Sequence, residues 1–182
     1  MFTNSPAPTD STDSSEVLQN RSRSIFNCPS IGLIIAFVTF AIDQVVKIVL
    51  LSGLDIEDKG PFHITSFLDF ILVWNRGISY GWFGQEGDLL RYFIIVVTFS
   101  VLVMLSVWLF YTEKYFTASG LGFLIGGGAG NMVDRILYGA VADYVHLFLP
   151  DMSFSWYVFN LADVWISIGA VLVLYQAIVT DS

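Results

Sequence analysis

Four long apolar stretches dominate the chain. Each has the length of about 20 mostly apolar residues that a helix needs to cross the hydrocarbon core of a bilayer. Charged residues make up 13% of the chain, against about 25% in an ordinary soluble domain. The pattern predicts an all-α membrane protein with four transmembrane helices. The stretches run roughly over Ile31–Leu51, Tyr92–Tyr111, Tyr115–Val133 and Trp156–Thr180.

The segments outside these stretches differ in character. Residues 1–29 are polar and rich in Ser, Thr and Asp, so they are predicted to form a disordered N-terminal tail, because they have too little apolar surface to offset the entropy of ordering. Residues 30–182 form the membrane domain. Its segment 52–91 is too long for a simple connection, and the β-branched and aromatic residues in it predict a small sheet on the membrane surface. The segment 134–155 is expected to be a loop.

The orientation of the four predicted helices is only weakly encoded. An even number of spans places both termini on one side, and the Lys and Arg residues near the span ends divide three against four. Because the first helix usually dominates orientation, we expect both termini in the cytoplasm and the surface sheet outside.

Several function classes are disfavoured by composition. The formal net charge of -8 removes the cationic surface that nucleic-acid binding needs. The single cysteine, Cys28, excludes an intrachain disulfide and a multi-cysteine metal site. The two histidines, His63 and His146, belong to no recognisable nucleophile or zinc motif. We therefore expect no metal, no cofactor and no nucleic-acid partner.

Polar residues concentrate where the predicted helices meet one membrane face. Ionisable groups at membrane depth are costly and usually face a bundle interior or a wet cavity, so a single site at this face is the economical interpretation. Its candidate members are Asp43, Lys47, Asn75, Asn131, Asp134, Arg135, Asp143, Asn160 and Asp163.

Spacing suggests contacts within this cluster. Asp43 and Lys47 are four residues apart and share a helix face, as do Asn131 and Arg135. Asn160 and Asp163 are three apart. The plain alternative is that these pairs only lock helices together. The glycines between 126 and 130 lack the Lys-Ser/Thr of a phosphate loop and are predicted to allow close helix packing.

The strongest chemical candidates are pairs among Asp134, Asp143 and Asp163. Two carboxylates held close together cannot both ionise, so such a pair can act as acid and base on a water molecule. Asp134 is next to Arg135 and is expected to be charge-paired, whereas Asp143 has no obvious cation. This favours Asp143 with Asp163, although spacing leaves the pair open and the acids could be loop-end or helix-cap residues.

Five short blocks, in order, resemble the lipoprotein signal peptidases, also called signal peptidase II. The resemblance covers the chain from about Ile31 to Ala177. The blocks are Asp43-Gln44-Val45-Val46-Lys47, Asn75-Arg76-Gly77-Ile78-Ser79-Tyr80-Gly81, Gly127-Gly128-Ala129-Gly130-Asn131-Met132-Val133-Asp134-Arg135, Val141-Ala142-Asp143-Tyr144 and Phe159-Asn160-Leu161-Ala162-Asp163.

The resemblance implies an aspartic endopeptidase of the bacterial cytoplasmic membrane. Such an enzyme removes signal peptides from prolipoproteins, cutting before a diacylglyceryl-modified cysteine near the outer face, so its partners are these substrates and membrane lipid. The residues that match the family's catalytic aspartates are Asp143 and Asp163. The matching supporting residues, which would shape the site and contact the substrate, are Asp43, Lys47, Asn75, Asn131, Asp134, Arg135 and Asn160.

Tyr80 and Tyr144 depart from the family pattern, which more usually has Phe there; both keep the ring and add a hydroxyl. From the residues alone, a small transporter or proton-conducting subunit would explain the membrane acids as well. It would not explain the long surface segment or the five ordered blocks. A membrane scaffold without activity is disfavoured by so many costly polar groups.

Overall fold

A computed structural model describes residues 27–77, 87–149 and 154–180. Most of the predicted tail, and Tyr80, lie outside these residues. The helices are α1 (Cys28–Ile48), which continues as a π-helical segment (Val49–Gly53), α2 (Ile56–Lys59), α3 (Gly87–Tyr111), α4 (Tyr115–Tyr138) and α5 (Leu161–Thr180). The strands are β1 (Phe62–Thr65), β2 (Leu68–Asn75), β3 (Val141–Leu149) and β4 (Phe154–Ser155).

Three of the described helical segments are long and apolar enough to cross a membrane: Cys28–Gly53, Leu89–Tyr111 and Leu161–Val179. Large apolar side chains on them remain exposed, as expected for surfaces that face lipid. The chain is therefore a multi-pass membrane protein. The remaining long helix, α4, is rich in glycine and carries polar residues in its last two turns, and its crossing of the membrane stays a prediction.

Helix α4 packs against all three of these segments, and its glycines let two of them come close. A Cβ atom on Gly122 would lie 2.5 Å from the carbonyl oxygen of Gly32 on α1. One on Gly127 would lie 2.5 Å from the carbonyl oxygen of Ala162 on α5. The prediction that these glycines serve close packing is confirmed, and the close approach brings the polar ends of α1, α4 and α5 together.

Gly126 provides a test of this packing. A Cβ there would collide with Thr39 Oγ1 and with the backbone of Ala36, so Gly126→Ala is expected to lower the free energy of unfolding by about 1–3 kcal/mol. Gly53→Ala is the matched control, because among the described residues its Cβ would meet only Val49 Cγ1, at 3.9 Å. Thermal unfolding in detergent compares the two variants, and equal melting temperatures would contradict the tight α1–α4 contact.

The sheet is antiparallel, with the order β1-β2-β3-β4. Its first two strands come from the segment predicted to form a surface sheet. The other two come from the α4–α5 connection, which was expected to be a loop, and that expectation is wrong. Strand β2 pairs with β1 on one side, and the backbone groups on its other side need hydrogen-bond partners. Strand β3 supplies them, with Val73 opposite Asp143 and Asn75 opposite Val141.

Several helix boundaries differ from the predicted ones. Helix α3 begins earlier, at Gly87, and α4 ends later, at Tyr138; two further shifts have local causes. Helix α1 begins at Cys28, where Asn27 caps it by accepting a hydrogen bond from the Ser30 N–H. Helix α5 begins at Leu161, several residues later than its apolar stretch, because Phe159 pairs with Val145 of β3. Both shifts place polar residues at helix ends.

Candidate active site

A buried lysine joins two acidic residues from different helices. Lys47 Nζ lies 2.8 Å from Asp43 Oδ2 and 2.7 Å from Asp134 Oδ2, and the three side chains are between 0% and 3% exposed. The predicted pairing of Asp43 with Lys47 is confirmed. The predicted pairing of Asp134 with Arg135 is wrong, because neighbouring residues on a helix do not face each other, and Asp134 points to Lys47. We call these three residues the Lys47 brace.

Each acid of the Lys47 brace also holds a backbone N–H group. Asp43 Oδ1 accepts a hydrogen bond of 3.0 Å from the Ala162 N–H. Asp134 Oδ2 accepts one of 3.2 Å from the Ala142 N–H. Each alanine directly precedes a candidate catalytic aspartate, Asp163 or Asp143. The brace therefore connects the backbone segments that carry both candidates.

Asn160 and Asp163 form a reciprocal cap at the start of α5. The Asn160 Oδ1 accepts the N–H of Asp163 at 3.1 Å, and Asp163 Oδ2 accepts the N–H of Asn160 at 3.2 Å. This is the geometry of a capping box. It accounts for the three-residue spacing of Asn160 and Asp163 in the sequence.

Amide side chains surround the two carboxylates. Asn160 Nδ2 donates to Asp143 Oδ1 at 2.5 Å, and Asn75 Nδ2 donates to Asp143 Oδ2 at 2.9 Å. Asn131 Nδ2 donates to Asp163 Oδ1 at 2.9 Å, while its Oδ1 accepts a hydrogen bond from Lys47. The structure thus brings eight of the nine sequence-predicted residues into one connected set of contacts.

The orientation of two of these amides follows from their other contacts. The Asn160 oxygen is occupied by the Asp163 N–H, and the Asn75 oxygen accepts the Gly77 N–H at 2.9 Å. Their NH₂ groups therefore face Asp143.

Asp143 lies on strand β3, and its surroundings change the pKa of its carboxyl group. Burial raises the pKa of Asp143 above its ordinary value, and the nearby charge of Asp163 acts in the same direction. The hydrogen bonds from Asn75 and Asn160 oppose part of this increase in the pKa. Asp143 therefore keeps its proton to a higher pH than an exposed aspartate does.

Arg135, the ninth predicted residue, lies beside this set. Its Nη1 donates to the backbone oxygen of Asn131 at 3.2 Å. The predicted contact between Asn131 and Arg135 is therefore made to the main chain of Asn131 and not to its side chain. Its buried Nε has no acceptor among the described residues. A donor in this position can serve a group that enters the site.

Three further contributors were missed by sequence reasoning. The Gln44 amide donates to Asp43 Oδ2 at 3.1 Å, and the Tyr144 hydroxyl accepts the Leu161 N–H at 3.3 Å. Arg91 donates hydrogen bonds to two backbone carbonyl oxygens at the C-terminal end of α4. Tyr144 directly follows Asp143, which was the available signal, whereas nothing in the sequence pointed to Arg91. Within residues 27–77, 87–149 and 154–180, no three His, Cys, Asp or Glu side chains are grouped closely enough to hold a metal ion.

Residues 35–179 match the family model described as Signal peptidase (SPase) II. The chain is 38% identical to a lipoprotein signal peptidase of Rhodopseudomonas palustris (strain TIE-1) over 82% of this chain and 92% of that protein. It is 44% identical to one of Methylorubrum extorquens (strain PA1) over 77% and 81%. A solved bacterial membrane enzyme shares the fold, with a TM-score of 0.68 and 24% identity over 83% of this chain and 89% of that one.

Proposed function

Because this chain belongs to the signal peptidase II family, the lipoprotein signal peptidases, we propose that it cleaves prolipoproteins with a catalytic dyad of Asp143 and Asp163. Family membership makes it a membrane protease that removes signal peptides. The dyad, the cleavage position before the diacylglyceryl-cysteine, and the location in the bacterial cytoplasmic membrane with cytoplasmic termini are the proposal.

One observation carries the assignment of the dyad. A single side chain, Asn160, donates to the Asp143 carboxylate and accepts the backbone N–H of Asp163. It links the two acids from a strand and a helix that are otherwise separate elements. Asp134, the other acid considered from the sequence, is ion-paired with Lys47 at 2.7 Å and is 1% exposed, so it is poorly suited to activate water.

The two acids have different environments, which supports different roles. Asp143, with its raised pKa, holds the proton and acts as general acid. Asp163 lies in the first turn of α5, where its Oδ2 accepts the Asn160 N–H, and acts as general base. Asp163 takes a proton from water, whose oxygen attacks the scissile carbonyl carbon. Asp143 gives its proton to the departing amine nitrogen as the C–N bond breaks.

The Lys47 brace has a positioning role in this proposal. The carboxylate oxygens of Asp43 and Asp134 pair with Lys47 and accept the N–H groups of Ala162 and Ala142. Substrate contact is then left to groups with spare donors, such as Arg135, whose Nε is unpaired among the described residues.

The cleavage position is tested by mass spectrometry of a purified diacylglyceryl-prolipoprotein after incubation with the detergent-solubilised protein. The expected product begins with the lipid-modified cysteine. A matched substrate that lacks the lipid is the control and is expected to remain uncut. A product that begins at another residue would contradict the proposed position.

The alkaline side of the pH profile is expected to report Asp143. Activity falls as the pH rises through the pKa of Asp143, because the general acid loses its proton. The Asn75 hydrogen bond lowers that pKa, so Asn75→Ala is expected to raise it and move the alkaline limb of kcat/KM to higher pH. An unchanged limb, or one that moves to lower pH, would contradict the role of Asp143 as the acid.

A further inference from the structure

The C-terminal end of α4 is held by an arginine from another helix. Arg91, near the start of α3, donates through Nε to the Arg135 carbonyl oxygen at 2.9 Å and through Nη2 to the Ile136 carbonyl oxygen at 2.7 Å. The last carbonyl groups of a helix have no partners within the helix. A cation at this end also interacts favourably with the helix dipole.

The backbone turns sharply next to this contact. Gly139 has a φ of 77° and donates its N–H to the Arg135 carbonyl oxygen at 3.2 Å. A Cβ on Gly139 would lie 3.4 Å from Arg91 Nη1, so the guanidinium group packs directly on the turn. Strand β3 begins two residues later, at Val141, and carries Asp143.

The last two turns of α4 carry other parts of the candidate site. Asn131 donates to Asp163, and Asp134 accepts the N–H of Ala142. The helix end also meets the sheet, where the ring centroids of Tyr138 and Trp74 lie 5.3 Å apart. A displacement of this helix end would therefore disturb contacts to both candidate catalytic aspartates.

We propose that Arg91 is a positioning residue that fixes the end of α4 and thereby sets the placement of Asp143 and Asp163. It touches neither carboxylate in the described contacts and acts through the backbone of Arg135 and Ile136. This inference rests on the proposed dyad. Its consequence is a role for α3, which among the described long helices contributes none of the predicted site residues.

The test compares Arg91→Gln and Arg91→Lys with the parent enzyme, using a diacylglyceryl-prolipoprotein as substrate. Arg91→Gln is expected to lower kcat about tenfold, in line with the loss of charge-assisted hydrogen bonds, with little change in KM. Arg91→Lys is expected to recover part of kcat, because it keeps the charge and one donor but not the two-pronged geometry. Lys59→Gln removes an exposed positive charge outside the site and is expected to match the parent.

Hydrogen exchange gives a readout that does not depend on activity. Arg91→Gln is expected to speed exchange of the Gly139 and Ala142 amides, whose acceptors are Arg135 and Asp134, and to leave the β1–β2 amides unchanged. Exchange that is unchanged in Gly139 and Ala142 would overturn the proposal, as would faster exchange with a kcat equal to that of the parent. A parent that cuts no lipidated substrate would refute the proposed function, and the exchange result would still show whether Arg91 holds the helix end.

Discussion

Asp143→Asn is expected to reduce kcat by about 10²–10⁴-fold, the range supplied by a positioned general acid or base. The amide has nearly the same shape as the carboxyl group but has no acidic proton to give the leaving nitrogen. Its oxygen can still accept one hydrogen bond, from Asn75 or Asn160. The variant is therefore expected to fold and insert while losing turnover. Cleavage of a diacylglyceryl-prolipoprotein, with thermal unfolding alongside, measures both properties.

Asp163→Asn is expected to lose activity to a similar extent, because it removes the base. Asp58→Asn, an exposed acid on α2, is the matched control and is expected to cleave at the parent rate. Since the two acids of the proposed dyad are expected to act as a unit, the double variant should be little worse than either single one. Turnover at the parent rate by folded Asp143→Asn protein would reject the dyad.

Lys47→Met is expected to give the largest loss of stability. The substitution leaves Asp43 and Asp134, which are 0% and 1% exposed, without their shared cation. Removing one partner from a buried ion pair costs about 3–5 kcal/mol, because an uncompensated charge stays buried. We expect a large fall in melting temperature in detergent and a loss of activity with it.

A triple variant separates charge from position. Asp43→Asn and Asp134→Asn, combined with Lys47→Met, remove all three charges and keep oxygen acceptors for the N–H groups of Ala162 and Ala142. We expect it to be more stable than Lys47→Met and to regain part of the cleavage activity. If the triple variant is as unstable as Lys47→Met, the loss of stability in Lys47→Met does not come from unpaired charge. If it is stable and shows no activity, the brace acids do more than hold the backbone.

Local contacts of the site could be predicted from the sequence. The four-residue spacing of Asp43 and Lys47 fixes a shared helix face, and the structure pairs them. The three-residue spacing of Asn160 and Asp163 corresponds to their reciprocal cap. Both are local: the first depends on the repeat of a helix and the second on the geometry of a helix start.

Contacts between distant segments could not be predicted in this way. Asn75 meets Asp143, 68 residues away, because β2 pairs with β3 in one particular register. The sequence does not fix that register, and the polar Asp143 and His146 made β3 resemble a loop. Asp134 had an adjacent candidate cation in Arg135, and only the packing of α1 on α4 shows that Lys47 takes that place. The family resemblance, rather than spacing, singled out Asp143 and Asp163.

The bond from Ala162 to Asp43 joins residues 119 positions apart, from the last long helix to the first. Until α5 has been synthesised and docked, Asp43 lacks this donor and Asn160 and Asp163 are missing from the cluster. On the proposed dyad, a nascent chain that has inserted only its earlier helices lacks one of the two acids and is expected to show no cleavage. Activity is then expected to appear only once α5 has docked, because its first turn completes the candidate site.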